Sequence, residues 1–262
     1  MNSPKKSLGQ HFLKNQTAIA ATVNALKIAP GETVIEIGPG HGELTKHLLA
    51  TGAEKVIAIE KDWDLHAELP NTLKAESYKL EAVLGDALKL LPEIVAGLGD
   101  APYSIAGNIP YYITGHLLRI IGELGHKPLR TVLMIQKEVA KRVSAEPPKM
   151  NRLAAMTQIW ARTEIVMHLA PADFDPAPTV DSAIILLETL PDAPRGDALA
   201  RYFHMAHILF QQPRKTAMNN LTDGLSLSKE AAIEQLKPLG LLGAERPGNL
   251  SVATIFAISN LF

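Results

Sequence analysis

The chain has 262 residues and a mass of 28.3 kDa, enough for one large or two modest domains with a substantial core. Its 26 Lys and Arg nearly balance 27 Asp and Glu, which excludes a uniformly basic nucleic-acid coat and an acidic tail. With no cysteine there are no disulfides, thiolate metal sites or cysteine nucleophiles, and no apolar run nears the roughly 18 residues of a membrane span.

Short β-rich runs alternate with helix-length segments through the first 135 residues. Thr33–Ile37 reads as a buried strand, closed by the glycine turn 38–42 and followed by a helix over 43–50. Lys55–Glu60 is a second strand, with a charged helix expected from Asp62 to about Glu76. Further strands are expected at 78–84, ending in Gly85-Asp86, at 103–106, ending at Asn108, and at 131–136. An apolar strand at 183–187 follows a proline-rich loop. This β-α-β-α order predicts an α/β fold with a parallel sheet covered by helices on both faces. Residues 190–196 form a turn-rich joint, and beyond it helical patterns run at 198–210, 214–221, 228–237 and 251–261 with no strand. The expected division is a first domain over 1–190 and a small helical domain over 197–262. The opening residues lack the apolar segment of a secretory signal, so a cytoplasmic location is expected.

The polar residues that matter sit where strands stop. Glu36, Glu60, Asp86 and Asn108 follow one another at steps of 24, 26 and 22 residues, each about one β-α unit. That spacing places all four on the carboxyl edge of the sheet, where open α/β folds bind ligands. The turn after the first strand carries Gly38 and Gly40, whose missing Cβ atoms let a ligand approach the backbone. A dinucleotide fingerprint would need glycine at position 43, which is Glu43. Glu36-x-Gly38-x-Gly40 suits instead a nucleoside without phosphates, such as S-adenosylmethionine, whose cationic sulfonium tolerates a carboxylate edge. Glu60 has the place of a ribose-binding acid and Asp86 that of an acceptor for an adenine amine; alone, each is an ordinary strand-end residue.

Asn108-Ile109-Pro110-Tyr111 is the sharpest signal. An exocyclic base amine is a poor nucleophile because its lone pair is delocalised into the ring. Acceptors aimed at its hydrogens pull the nitrogen toward tetrahedral geometry and stabilise the charge developing on it. The Asn108 side-chain carbonyl and the Ile109 backbone carbonyl fit that task if Pro110 fixes the turn, and Tyr111 can stack on the base. Phe174, in the loop before the strand at 183–187, is a candidate for the base's other face if exposed, and a core residue otherwise. His204 and His207 stand three apart on a helix without a third ligand, so no metal site is expected.

Charge is uneven: residues 60–100 hold nine acids and four bases, residues 127–162 eight bases and two acids. Lys137, Arg142, Arg152, Arg214 and Lys215 are accordingly candidates for contacts to nucleic-acid phosphates, against the plain alternative of solvated helix faces.

Together these motifs carry a resemblance over nearly the whole chain. In order they are Leu8-Gly-Gln-His-Phe-Leu13, residues 36–45, Gly85-Asp86-Ala87, Asn108–Tyr111 with Ile113-Thr114, residues 136–139, 174–182 and 214–216, and Asn249-Leu250-Ser251. The chain resembles the small-subunit (16S) rRNA adenine dimethyltransferases. That resemblance implies a Rossmann-like class I S-adenosylmethionine-dependent methyltransferase sheet of seven strands, the last antiparallel, with an RNA-facing helical domain. It implies that His11 and Leu13 close over the cofactor, that Gly38 carries its methionine end, Glu60 its ribose and Asp86 its adenine, and that Asn108 lies between cofactor and target amine. Tyr111 and Phe174 would stack on the target adenine. The implied reaction is dimethylation of two neighbouring adenosines in a hairpin loop near the 3′ end of small-subunit rRNA during subunit assembly. The partner would be that rRNA or the immature subunit, with no membrane involved and the protein a monomer. Alternatives are a large-subunit rRNA adenine methylase conferring macrolide resistance, and a nucleic-acid-binding assembly or transcription factor on the same fold. The chain departs from the resembled pattern at Ala177 and Thr179, at Met150-Asn151 and at Pro213, all near expected RNA contacts.

Overall fold

A computed structural model describes residue 5 and residues 8–73 and 78–262. Two compact units emerge: residues 1–140 with 162–189, and residues 141–161 with 190–262.

Among the described residues, nine strands form two sheets in the first unit. The strands are β1 (Phe12–Leu13), β2 (Thr33–Ile37), β3 (Lys55–Glu60), β4 (Leu80–Leu84), β5 (Tyr103–Asn108), β6 (Arg130–Gln136), β7 (Ala161–Leu169), β8 (Phe174–Asp175) and β9 (Ser182–Thr189). Seven of them make the main sheet in the order β4-β3-β2-β5-β6-β9-β7. The pairs β2–β3, β3–β4, β2–β5 and β5–β6 are parallel, while β9 runs antiparallel to β6. All five residues of β2 are buried, as a central strand covered on both faces requires. From β2 the chain builds outward to β3 and β4 on one side and then to β5 and β6 on the other. The carboxyl ends of β2 and β5 therefore flank the reversal in strand order, the place where such sheets open a crevice.

Helices α1 (Gln16–Leu26), α2 (Glu43–Leu49), α3 (Trp63–Thr72), α4 (Ala87–Leu98) and α5 (Thr114–Glu123) belong to this unit, and α6 (Lys137–Val143) runs across its boundary. Ile19 and Leu26 of α1 and Leu48 of α2 share one apolar cluster with Val34, Val56 and Ala106 of the sheet. Three helix starts are fixed by side-chain caps: Asn15 accepts from the Ala18 N–H, Asp62 from Asp64 and Asp86 from Leu88. Such caps satisfy N–H groups that have no partner inside the helix.

The sequence-based outline is met for the sheet and differs in four places. The helix expected over 62–76 begins one residue after its Asp62 cap and is described to Thr72; residues 74–77 lie outside the described residues. The strand expected from 78 starts at Leu80. Strand β7 was not anticipated from residue pattern: it closes one end of the sheet, and its exposed Arg162, Glu164 and His168 break the apolar run that marks a central strand. The fourth difference is the domain boundary, because residues 141–161 group with the helical unit rather than the sheet.

That second unit contains α7 (Arg152–Gln158), α8 (Gly196–Leu209), α9 (Ala217–Leu225), α10 (Lys229–Leu236) and α11 (Val252–Ser259). Residues 141–161 are tied into it by three bonds. The Tyr202 hydroxyl donates to the Ala155 carbonyl at 3.0 Å, the Met150 N–H to Gly248 at 3.0 Å and the Leu190 N–H to Trp160 at 2.9 Å. Asn151, Thr216, Ser228 and Ser251 cap α7, α9, α10 and α11. Among the described residues, no helix is long and apolar enough to cross a membrane, and no group of three or more acids or histidines is arranged to hold a metal.

Candidate active site

A cleft enclosing about 810 Å³ of space, open solvent included, lies at the carboxyl ends of β2, β3 and β5. It gathers His11, Gly38, Gly40, Glu60, Asp86, Asn108, Pro110 and Tyr111 from five separate stretches of chain. Ile37, Ile59 and Leu65 supply apolar wall.

The glycine turn sets the floor. Gly38 and Gly40 have φ of 70° and 60°, the left-handed region that costs any residue with a Cβ. A Cβ on Gly40 would also meet the Phe12 ring at 3.0 Å. The Gly40 N–H donates to Glu60 Oε2 at 3.1 Å, and Glu60 Oε1 accepts from the Asp62 N–H at 2.8 Å. Each of these carboxylate oxygens keeps a lone pair for a further donor, so Glu60 is aimed to accept a pair of hydroxyls. Burial pushes the Glu60 carboxyl above its ordinary pKa, against the pull of those backbone N–H groups.

The next ring of contacts was not read from sequence. Lys5 Nζ bridges Asp62 Oδ1 at 2.6 Å and Asp64 Oδ2 at 2.8 Å, while Gln10 Nε2 donates to Asp62 Oδ2 at 2.9 Å. Burial alone would raise the Asp62 pKa, but the Lys5 and Gln10 bonds hold it below the usual carboxylate range. Asp62 thus joins the N-terminal segment to the start of α3 and, through its own N–H, to Glu60. Lys61 likewise lines the cleft and donates to Asp86 Oδ2 at 2.9 Å; that bond holds the Asp86 carboxyl below its ordinary range. Asp86 Oδ1 is occupied in capping α4. The sequence signal for both partnerships was the Glu-Lys-Asp triplet directly at the end of β3.

Asn108 ends β5. Its Nδ2 donates to the His11 backbone carbonyl at 2.7 Å, which fixes the amide so that Oδ1 remains an acceptor. The Tyr111 hydroxyl is paired with Ser182 Oγ at 2.7 Å. Burial raises the Tyr111 phenol and the Ser182 bond opposes it, leaving a neutral ring at physiological pH. An acceptor carboxamide beside a neutral flat ring is suited to hold a planar aromatic amine.

Three expected residues are absent from the cleft. Glu36 lies inside the β2 ladder, between Ala58 and Ala106, one residue short of the edge, because the strand continues through Ile37. It is 1 % exposed, and its Oε2 has no hydrogen-bond partner. Burial, aided by the nearby Glu60 charge and opposed by Thr45, pushes its carboxyl up to about 8. Leu13 and Phe174 pair with each other in the two-residue β1–β8 ladder and turn into the core, 6 % and 2 % exposed. The proline-stiffened loop therefore buries its aromatic ring rather than presenting it.

The residues expected to meet RNA lie outside the cleft. Lys137 is half-buried and pairs with Asp181 at 2.9 Å in the first unit. In the second unit Lys215 pairs with Asp223 at 3.1 Å, Arg152 lies 3.4 Å from His207 Nδ1, and Arg142 and Arg214 are exposed.

A seven-stranded sheet in which β9 runs antiparallel to β6, with a cleft at its order reversal, is the α/β fold of the class I methyltransferases. The similarity to known proteins is more specific. The sequence pattern of the family described as "Ribosomal RNA adenine dimethylase" matches residues 1–262, and the chain belongs to that family. A protein of Dehalococcoides mccartyi named ribosomal RNA small subunit methyltransferase A is 36% identical over 250 residues, covering 95% of this chain and 84% of the relative. The Lactobacillus acidophilus protein of the same name is 35% identical over 266 residues, covering 97% and 90%. Among solved structures, a dimethyladenosine transferase from Plasmodium falciparum matches with a TM-score of 0.82 at 25% identity, covering 95% of this chain and 96% of its own. The 23S rRNA methyltransferase ErmE shares the fold, with a TM-score of 0.74 at 24% identity and coverage of 95% and 98%.

Proposed function

We propose that this protein is an S-adenosylmethionine-dependent enzyme that dimethylates the exocyclic amines of two adjacent adenosines in a hairpin loop near the 3′ end of small-subunit rRNA, during subunit assembly. The observation that carries the reading is the Asn108 carboxamide, held by the His11 carbonyl so that its oxygen accepts, with Tyr111 beside it in the same cleft.

The donor set fits the cofactor. Gly38 and Gly40 leave backbone bare where a Cβ would intrude, Glu60 offers free lone pairs, and apolar walls accompany two carboxylates. When bound, S-adenosylmethionine supplies an electrophilic methyl group. Glu60 would accept the ribose hydroxyls, Asp86, with Lys61 as its counter-ion, would hold the adenine end, and the turn at Gly38 would receive the methionine end. On the substrate side, Asn108 Oδ1 and the Ile109 carbonyl accept the two amine hydrogens while Tyr111 stacks on the base. Methyl transfer would leave the nitrogen cationic, a charge that the Asn108 and Ile109 oxygens would stabilise until its proton passes to water. A strong general base is unnecessary, because the proton is lost from an already acidified ammonium. Arg142 and Arg214, with Lys137, Arg152 and Lys215, supply cations for phosphate contacts on their respective units.

Labelled S-adenosylmethionine supplied with undermethylated small subunits, with large subunits, or with neither tests the reading. Label is expected in small-subunit rRNA as dimethyladenosine. Label in the large subunit alone replaces this reading with the macrolide-resistance activity; cofactor binding without transfer to either replaces it with a non-catalytic factor.

A further inference from the structure

The two methyl transfers proposed above are not equally easy to position. Each would put a methyl on the nitrogen in place of one hydrogen, which leaves as a proton to water while the sulfur keeps the electron pair of the broken bond. The first transfer begins with two amine hydrogens, one for Asn108 Oδ1 and one for the Ile109 carbonyl. The second begins with only one. A hydrogen bond that held the amine is then gone, and placement of the base rests more heavily on the Tyr111 ring.

The backbone of Tyr111 is set by its turn: Pro110 precedes it with φ of −56°, and Thr114 Oγ1 donates to the Tyr111 carbonyl at 3.0 Å. Rotation of the side chain remains, and a bond at the far end of the ring restrains it. The Tyr111 hydroxyl lies 2.7 Å from Ser182 Oγ. Ser182 is fully buried and does not line the cleft, so it is placed to act on the ring rather than on a ligand. It opens β9 opposite Gln136 of β6, and the Lys137 N–H donates to the neighbouring Asp181 carbonyl at 3.0 Å. The serine is therefore anchored in the sheet, while the ring it holds belongs to a turn 71 residues away in sequence.

Building on the proposed rRNA dimethylation, we infer that Ser182 is a positioning residue acting through Tyr111: its hydroxyl holds the phenol, and with it the plane of the ring, for the second methyl transfer. Loss of that bond leaves the ring present but free to swing about its own side-chain bonds. The first transfer tolerates the looseness, because two acceptors still hold the amine. The second does not, and monomethylated base accumulates.

The test supplies the full-length enzyme with undermethylated small subunits and S-adenosylmethionine, and follows mono- and dimethyladenosine in the digested rRNA over time. Ser182→Ala is expected to slow the second transfer about fivefold, the scale of one neutral hydrogen bond, and the first less than about twofold. Tyr111→Phe, which keeps the ring, is expected to show the same imbalance, and so is the double variant. Removing both hydroxyls leaves no unpartnered polar group, so the double variant is expected to melt close to wild type. A merely structural serine requires the opposite, recovery of dimethylation along with stability. Without cofactor, 2-aminopurine at the target position of a small-subunit hairpin is expected to fluoresce about twofold more brightly on Ser182→Ala than on wild type, because the stack is looser. If Ser182→Ala does not fold, the product ratio of Tyr111→Phe decides the matter. An unchanged mono-to-dimethyl ratio, its recovery in the double variant, or equal slowing of both transfers overturns the inference and leaves the rRNA reading intact. Wild-type enzyme that forms no dimethyladenosine on small subunits overturns both.

Discussion

At the carboxyl edge of the sheet, polar side chains are held by backbone. Glu60 is pinned between the Gly40 and Asp62 N–H groups, Asn108 by the His11 carbonyl, and Asp86 by its own helix cap. In the helical unit the charged groups assigned to RNA are exposed: Arg142 and Arg214 stand at the surface, and Lys215 meets only an exposed Asp223. The difference matches the tasks. Transfer chemistry needs acceptors fixed before the substrate arrives, so that no reorganisation is required during the reaction. Phosphate contacts work by long-range charge and tolerate a mobile side chain.

Substitutions can break or sharpen this contrast. The largest effect is expected at Phe174, where truncation to alanine in a closed core costs about 3–5 kcal/mol of stability. Denaturant melts measure it; a near-silent Phe174→Ala would show an exposed ring and restore the stacking role expected from sequence. Asn108→Ala is expected to cut turnover about 10²–10³-fold, the scale of a lost charge-stabilising contact, with cofactor affinity within a few-fold. Equal losses in turnover and affinity would make Asn108 merely part of the cofactor pocket.

Glu36 gives an intermediate effect with a sign. Its folded-state pKa is raised to about 8 from an ordinary 4.5, so the folded chain retains a proton that the unfolded chain has lost. The associated stability is complete below pH 4.5 and is lost as pH climbs through 8. Glu36→Gln keeps a neutral side chain of the same shape and should remove a few kcal/mol of that pH dependence. Unfolding measured at pH 5 and 8.5 checks it, and parallel pH profiles would show that Glu36 ionises freely. Smallest are the surface cations: Arg142→Gln and Arg214→Gln should each reduce the salt slope of RNA binding by about one. Unchanged slopes remove them from the interface.

What the sequence reveals follows the same division. Strand-end spacing located the cleft because a β-α unit has a nearly constant length, so Glu60, Asp86 and Asn108 recur at one edge. It misplaced Glu36 because spacing cannot resolve one residue: the strand, read and found as Thr33–Ile37, places Glu36 one residue short of its end, inside the ladder. Phe174 and Leu13 were misjudged because a two-residue ladder between segments some 160 residues apart leaves no periodic trace. The stretch 141–161 lies beside the sheet in sequence yet packs with the helices, through contacts such as Tyr202 to Ala155 that no local pattern encodes.

The Lys5–Asp62–Glu60 chain has a practical consequence for handling the protein. An affinity tag fused at the N-terminus, or a truncation beginning at His11, removes or crowds the donors that neutralise Asp62. The resulting defect would surface two links away, as weakened nucleoside capture at Glu60, and be mistaken for a lesion in the catalytic centre. A C-terminal fusion leaves that wiring untouched.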